Sequence, residues 1–90
     1  MKGFSRDWQV LSVHTEVEIV ARLQAIFRDE LDLPDLTISA KSTPEQIDGW
    51  DSLATIRIVA AVEREFDCQF EAAQIENIGS VADLILMIPR

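Results

Sequence analysis

The chain has 90 residues, 48% of them hydrophobic, and its 16 acidic and 8 basic residues give a formal net charge of −8. This length and composition predict one compact domain with its own core, too small to enclose a deep catalytic cavity. The negative charge disfavours binding to nucleic-acid phosphates and to anionic membrane surfaces, and no apolar run approaches the length of a membrane span.

Residues 1–14 show no sustained periodicity, so we expect an N-terminal extension followed by one helical domain at 15–90. The extension is too often interrupted by polar residues to be a signal peptide, and we therefore expect a cytoplasmic protein. Cys68 is the only cysteine, which argues against a disulfide framework and a Cys-rich metal site. With no basic neighbour in sequence, it is interpreted as an inert, partly buried thiol.

The first clear helical pattern begins at Thr15. The segment TEVE is a capping box, with Thr15 at the N-cap and Glu18 able to reach back towards it. Glu18 and Arg22 are spaced for an i,i+4 ion pair, and the helix should end near residues 31–33, before Pro34. The apolar residues of this helix fall on one broad face: Ile19, Val20, Leu23, Ile26, Phe27 and Leu31.

A long loop follows at residues 32–51, DLPDLTISAKSTPEQIDGWD. Irregular connections longer than about 12–15 residues in a compact domain are usually functional or disordered. Leu36, Ile38, Ile47 and Trp50 argue against disorder, because apolar side chains can pin a loop to the core. We therefore predict a pinned loop that leads to Ser52 at the start of a second helix.

The second helix is predicted from about Ser52 to Phe66 and carries two apolar stripes. Leu53, Ile56 and Ala60, spaced i, i+3 and i+7, are bordered by charged residues and point away from the main core face. These residues can form a surface for a partner. Alternatively, Leu53 belongs to the core and Ile56 is a scattered exposed residue. The residues assigned to the core face are Thr55, Ile58, Val59, Val62 and Phe66.

The rest of the chain predicts two more helices. AAQIENI reads as a short helix that places Ile75 and Ile78 inward, and SVADLILMI as a last helix with Ser80 at the N-cap and Asp83 at N3, ending before Pro89. The fold class is therefore all-α: a small four-helix bundle of three principal helices and one short helix, with a long loop between helices one and two.

No convergent set of catalytic groups is found in the sequence. Nothing brings His14, the only histidine, over Ser52 and Asp51, and no metal-ligand spacing or phosphate-binding glycine-rich loop occurs. We therefore predict no catalytic residue, no metal site and no enzyme activity. Ser52 is either a helix cap or, because a helix N-terminus stabilises a phosphodiester anion, a site for a phosphate-linked group.

The segment DSLATIRIVAAVEREFDCQF resembles the acyl carrier protein signature, in which a DSL motif opens the second helix and its serine carries 4′-phosphopantetheine. The resemblance covers roughly residues 15 to 88, and Asp51, Ser52 and Leu53 match the DSL motif. Further matching positions are Val62, Glu63, Glu65, Phe66, Phe70, Ile78, Ser80 and Val81.

This resemblance implies a carrier, with Ser52 as the attachment point of an arm derived from coenzyme A. The thiol of the arm would hold an acyl or aminoacyl group as a thioester. The implied partners are a phosphopantetheinyl transferase, an acyltransferase or adenylating loading enzyme, and a ketosynthase or other thioester-using enzyme. We expect a monomer that binds neither nucleic acid nor membrane. The partner-binding residues implied are Asp51, Leu53, Ile56, Arg57 and Ala60.

The chain also departs from the family pattern. Ala54, Arg57 and Arg64 stand where many members carry acids, and Trp50, at the variable position before DSL, is interpreted as a sign of unusual partners. These features resemble a discrete carrier of specialised metabolism, such as polyketide biosynthesis. A peptidyl or aminoacyl carrier and a primary fatty-acid carrier are the alternatives. A noncovalent protein-interaction module is the rival from another class, and a hydrolase using Ser52 is a third.

Overall fold

A computed structural model of the protein describes residues 15–89, and within them it contains helices and no strand. This confirms the predicted fold class. The expected N-terminal extension, including His14, lies outside the described residues. The helices are α1 (Glu16–Leu31), α2 (Ser52–Phe66), α3 (Ala72–Glu76) and α4 (Val81–Met87).

Helix α1 begins and ends as its sequence predicts. The Thr15 side chain accepts a hydrogen bond from the Glu18 backbone N–H at 3.1 Å, and the Glu18 carboxylate pairs with Arg22 at 3.1 Å. At the other end Asp32 adopts a left-handed conformation, with φ of 56°, and its N–H donates to the carbonyl of Arg28. The helix therefore terminates through an αL cap just ahead of Pro34.

The loop between α1 and α2 is fastened to α1 by side chains and backbone. The guanidinium Nε of Arg28 donates to the Leu36 carbonyl at 2.7 Å, and the side-chain oxygen of Gln24 accepts from the Ile38 N–H at 3.0 Å. The predicted anchors Ile38, Ile47 and Trp50 are buried, and Leu36 packs partly buried against the same core. The prediction of a pinned loop is confirmed, although the 3-10 helix at Pro44–Gln46 was not predicted.

The opposite side of the loop is fastened to the start of α4. The backbone N–H groups of Val81 and Ala82 donate to the carbonyls of Ser42 and Ala40, each at 2.9 Å. The N-terminal N–H groups of a helix have no partner within the helix, so the loop carbonyls satisfy two of them. The loop is thus held between α1 and α4.

The core face of α2 differs in part from its prediction. Ile58, Val59 and Val62 are buried as expected, but Thr55 and Phe66 are only half-buried. Ala54, which is fully buried, takes a core position at the first turn. Because an alanine contributes little to a hydrophobic pattern, the periodicity assigned Thr55 and not Ala54 to the core face at the N-terminal turn of α2. The other predicted core residues, Ile75 and Ile78, pack against the core as partly buried side chains.

No helix in the described part of the chain is long and apolar enough to cross a bilayer.

A pair of identical substitutions in α2 tests which face supports the fold. Ile58→Val should lower the free energy of unfolding by about 0.5–1.5 kcal/mol, because Ile58 is completely buried. The matched change Ile56→Val should stay within about 0.5 kcal/mol of the wild type, because Ile56 is largely exposed. Urea unfolding followed by circular dichroism measures both, and equal losses would contradict the assigned orientation of α2.

Candidate functional site

The N-terminus of α2 is capped by Asp51, not by Ser52. A carboxylate oxygen of Asp51 accepts from the Ala54 N–H at 2.8 Å, and its backbone carbonyl accepts from the Thr55 N–H at 2.9 Å. Ser52 is the first residue of the helix and is exposed. The interpretation of Ser52 as the helix cap is therefore wrong, because the neighbouring aspartate already occupies that position.

Ser52 consequently presents unused hydrogen-bonding groups to solvent. Within residues 15–89 its hydroxyl makes no hydrogen bond, and the backbone N–H groups of Ser52 and Leu53 find no acceptor. These N–H groups lie at the positive end of the dipole of α2, which stabilises a negative charge placed there. The arrangement suits a hydroxyl that becomes a phosphodiester.

The turn before α2 directs Ser52 outward. Gly49 has φ of 84°, a conformation that side-chain-bearing residues rarely adopt, and its carbonyl accepts from the Asp51 N–H at 3.1 Å. Trp50 follows and is buried, with its ring edge-to-face against Phe27 at a centroid distance of 4.9 Å. Because Trp50 is only 4% exposed, it has little surface to offer a partner, and its interpretation as a sign of unusual partners stays a prediction.

An open cavity of about 320 Å³ adjoins Ser52 on the side of α3. The sequence did not predict this cavity, because it depends on how α3 packs beside α2. Thr55, which was assigned to the core, contributes to its wall, and Glu76 contributes an acid near its surface. The cavity is lined by Ser52, Thr55, Ile56, Ile75, Glu76 and Ile78.

The second apolar stripe of α2 is exposed. Leu53 is 63% and Ile56 is 59% accessible, Arg57 is exposed, and Ala60 is half-buried. The alternative that Leu53 belongs to the core is therefore wrong. Leu53 follows Ser52 directly and Ile56 lies about one helical turn further along, so both side chains are exposed close to the Ser52 hydroxyl.

An interhelical ion pair modifies the charge of this stripe. Arg57 Nε lies 3.8 Å from a carboxylate oxygen of Glu30 in α1, and the arginine side chain is 48% exposed against 21% for the glutamate. A pair of this length and exposure contributes little to stability. No local pattern in the sequence points to Glu30, since its contact with Arg57 arises only when α1 and α2 pack side by side.

The comparisons with known proteins show the family of the chain. Residues 21–88 match the protein family described as "Phosphopantetheine attachment site". The chain belongs to this family. It is also similar to the solution NMR structure of the holo acyl carrier protein from Geobacter metallireducens, with a TM-score of 0.70 and 23% identity over 77% of this chain and 79% of that chain. At this identity the second match shows the shared acyl carrier fold.

The protein is therefore a carrier and not an enzyme, and its cofactor is covalently bound 4′-phosphopantetheine. The residues at the start of α2 fit this group. Ser52 offers an exposed hydroxyl, the helix terminus offers N–H groups for a phosphate, and the adjoining cavity leaves room beside this serine. Among the described residues no cluster of side chains suited to a metal ion is found.

Cys68 lies in an environment that lowers the reactivity of its thiol. It lies half-buried just after the C-terminus of α2, and burial, followed by the nearby carboxylates of Glu63 and Asp67, raises the pKa of its thiol. A thiol with a raised pKa has less of the reactive thiolate at neutral pH. The interpretation of Cys68 as an inert, partly buried thiol agrees with this environment.

The assignment of the cap can be tested separately from carrier activity. Asp51→Ala should lower the free energy of unfolding by about 0.5–2 kcal/mol, since it removes the acceptor for the Ala54 N–H. Asp51→Asn should retain most of the stability, because asparagine is an equally good N-cap. Ser52→Ala should change it by less than about 0.5 kcal/mol. Thermal and urea unfolding measure all three, and a larger loss for Ser52→Ala than for Asp51→Ala would contradict the assignment.

Proposed function

We propose that Ser52 is the residue to which 4′-phosphopantetheine is attached, and that the carrier presents acyl or aminoacyl thioesters to partner enzymes. One observation carries this assignment: an exposed serine with an uncommitted hydroxyl opens α2, within the residues that match a phosphopantetheine attachment family. Asp51 supports it by capping the helix, which leaves the serine oxygen available.

The attachment is a phosphoryl transfer in which Ser52 is the acceptor. Its Oγ forms a bond to the pantetheine-bearing phosphorus of coenzyme A, the bond from that phosphorus to the bridging pyrophosphate oxygen breaks, and adenosine 3′,5′-bisphosphate leaves. The hydroxyl proton passes to a base of the phosphopantetheinyl transferase, which also supplies the magnesium ion. The Ser52 hydroxyl makes no hydrogen bond to a base within residues 15–89, so we assign its activation to the transferase.

Once attached, the arm supplies a thiol that holds the cargo as a thioester. A flexible tether raises the effective concentration of the cargo at each enzyme that binds the carrier. We propose an acyltransferase or adenylating enzyme as the loading partner and a ketosynthase or other thioester-using enzyme as the recipient, in the cytoplasm. The carrier itself has only to bind each partner in turn.

We propose that Asp51, Leu53, Ile56, Arg57 and Ala60 form the docking stripe for these partners. Leu53 and Ile56 expose large apolar side chains one turn apart. Their exposure to water costs free energy, and burial in an interface with a partner would be favourable. Arg57 at their border adds a positive charge, so a partner with an acid opposite it is favoured. The mixed charge differs from a uniformly acidic second helix.

Polyketide or related natural-product biosynthesis is the proposed pathway, because Ala54, Arg57 and Arg64 occupy positions where many acyl carrier proteins have acids. Ala54 is buried and Arg64 is exposed, so the difference in surface charge comes from the two arginines. A peptidyl or aminoacyl carrier and a primary fatty-acid carrier are the alternatives within the family. A noncovalent interaction module that uses α2 only for docking, the alternative from another class, does not agree with the match to a phosphopantetheine attachment family.

Intact-mass spectrometry tests the attachment. After incubation with coenzyme A, magnesium and a promiscuous phosphopantetheinyl transferase, the wild-type protein should gain the mass of one phosphopantetheine. Ser52→Ala should gain nothing, because it lacks the acceptor oxygen. Ser39→Ala is a matched control that removes an exposed loop hydroxyl, and it should load like the wild type.

Two outcomes would contradict the proposal. Loading of Ser52→Ala would move the attachment point to another residue, and failure of the folded wild-type protein to load would show that Ser52 does not accept the arm from this transferase. The mass of the protein isolated from its own host then identifies the cargo, since a thioester adds the acyl or aminoacyl mass to that of the arm.

The docking stripe is tested by the kinetics of loading. Ile56→Ala should lower kcat/KM for the transferase about tenfold, which corresponds to roughly 1.4 kcal/mol of lost contact. Leu86→Ala is the matched control, because Leu86 in α4 is 80% exposed but lies outside the stripe. It should leave kcat/KM unchanged, and equal losses for the two variants would contradict the assigned surface.

The role of the Arg57 charge in docking is tested with a variant that keeps the ion pair to Glu30. In Glu30→Arg/Arg57→Glu the two charges exchange places, so the interhelical pair is retained while the exposed member becomes negative. For the cognate loading enzyme we expect a lower kcat/KM with an unchanged melting temperature. A kcat/KM equal to that of the wild type would show that binding of the loading enzyme does not depend on the charge of Arg57.

A further inference from the structure

We propose that Trp50 is a positioning residue for the attachment reaction, and that it sets the direction of the Ser52 hydroxyl through Thr55. This inference rests on the proposed attachment at Ser52. It assigns a role to a side chain that neither matches the DSL motif nor reaches the docking stripe.

The indole of Trp50 is fixed in the core. It is 4% exposed, and its ring meets the ring of Phe27 at an interplanar angle of 89° and a centroid distance of 4.9 Å. An edge-to-face contact of this kind adds to the apolar burial and disfavours rotation of the indole. Trp50 thereby couples the last turn of the loop to α1.

The polar atom of the same indole is directed at the first turn of α2. Trp50 Nε1 donates to the hydroxyl of Thr55 at 2.8 Å. The Thr55 hydroxyl donates in turn to the carbonyl of Asp51 at 3.0 Å, and the Thr55 backbone N–H donates to that carbonyl at 2.9 Å. A continuous hydrogen-bonded path therefore runs from Trp50 through Thr55 to Asp51.

The hydrogen-bonded path joins residues on both sides of Ser52 but includes no atom of Ser52. The residues immediately before the serine, Trp50 and Asp51, are tied to Thr55 three positions after it, so the peptide that carries the Ser52 side chain has its direction fixed from both sides. The single O–H donor of Thr55 is engaged by the Asp51 carbonyl, so the Thr55 hydroxyl does not donate to the serine oxygen. The Ser52 hydroxyl remains oriented outward and uncommitted.

The path affects the rate of the chemical step and not the docking of the transferase. Leu53, Ile56 and Arg57, the side chains proposed to meet the enzyme, make no hydrogen bond to Trp50 or to the Thr55 hydroxyl. A small misplacement of a reacting atom in a bound complex lowers the rate constant steeply, whereas the binding constant depends on the intact interface. Loss of the path should therefore lower kcat with little change in KM.

Three substitutions separate this role from packing. Trp50→Phe keeps an aromatic ring beside Phe27 and removes only the indole N–H, Thr55→Val removes the hydroxyl with little change of shape, and Thr55→Ser keeps the hydroxyl. Loading is measured under single-turnover conditions with excess promiscuous transferase and coenzyme A, at a temperature well below the melting point of each variant. Circular dichroism establishes that each variant is folded.

Trp50→Phe and Thr55→Val should each lower the single-turnover rate about fivefold or more, with KM within about twofold of the wild type. Thr55→Ser should retain the wild-type rate. The double variant Trp50→Phe/Thr55→Val should be no slower than the slower single variant, because both changes break one path. If Trp50→Phe does not fold, the comparison of Thr55→Val with Thr55→Ser decides the question.

A wild-type rate for both Trp50→Phe and Thr55→Val, or independent, multiplicative losses in the double variant, would overturn the inference. Ser52→Ala in the same assay separates this outcome from failure of the proposed function. If Ser52→Ala gains no arm while Trp50→Phe is loaded at the wild-type rate, Ser52 remains the proposed attachment site and the positioning role of Trp50 is wrong. If Ser52→Ala still gains the arm, the proposed attachment site is itself wrong.

Discussion

The attachment of the long loop to α1 and α4 is the constraint on which the site depends. An irregular segment spanning residues 32–51 loses conformational entropy on folding without the regular hydrogen bonds of a helix. Burial of Ile38, Ile47 and Trp50 offsets this loss, and the helices supply partners for the backbone of the loop. Without these contacts the start of α2 would be covalently connected to α1 but not positioned against it.

The same packing that buries Trp50 exposes Ser52. The two residues are separated only by Asp51, which takes over the cap of α2 and leaves the serine oxygen without an intramolecular partner. Three consecutive residues thus divide three tasks: an anchor in the core, a helix cap and an exposed hydroxyl. This division explains why a serine can open a helix, a place where its hydroxyl would ordinarily be used as a cap.

The parts of the fold that depend on local chemistry could be predicted from the sequence. Thr15 and Ser80 marked helix starts through their capping oxygens, and the anchors of the loop were recognised because buried apolar residues are uncommon in free connections. Asp51 and Ser52 could not be ranked as caps, since both are good N-cap residues and a shift of one position exchanges them.

Features that depend on how helices pack could not be predicted in this way. The contact between Glu30 and Arg57 and the cavity beside Ser52 join residues far apart in sequence, and periodicity carries no information on their relative rotation. Ala54 was missed because a small side chain contributes little to a hydrophobic pattern. The hydrogen bond from Trp50 to Thr55 could not be predicted either, because it depends on the direction of a buried indole in an irregular segment.

The charge of the carrier acts differently at long and at short range. A net charge of −8 repels acidic surfaces and attracts basic ones as a partner approaches. Beyond about 10 Å this field is largely screened at physiological salt, so once surfaces touch, the side chains at the interface decide. In the proposed docking stripe the guanidinium of Arg57 is exposed, while the carboxylate of Glu30, its ion-pair partner, is more buried. A partner can therefore be drawn in by the acidic body of the carrier and still be selected by an acid that fits Arg57.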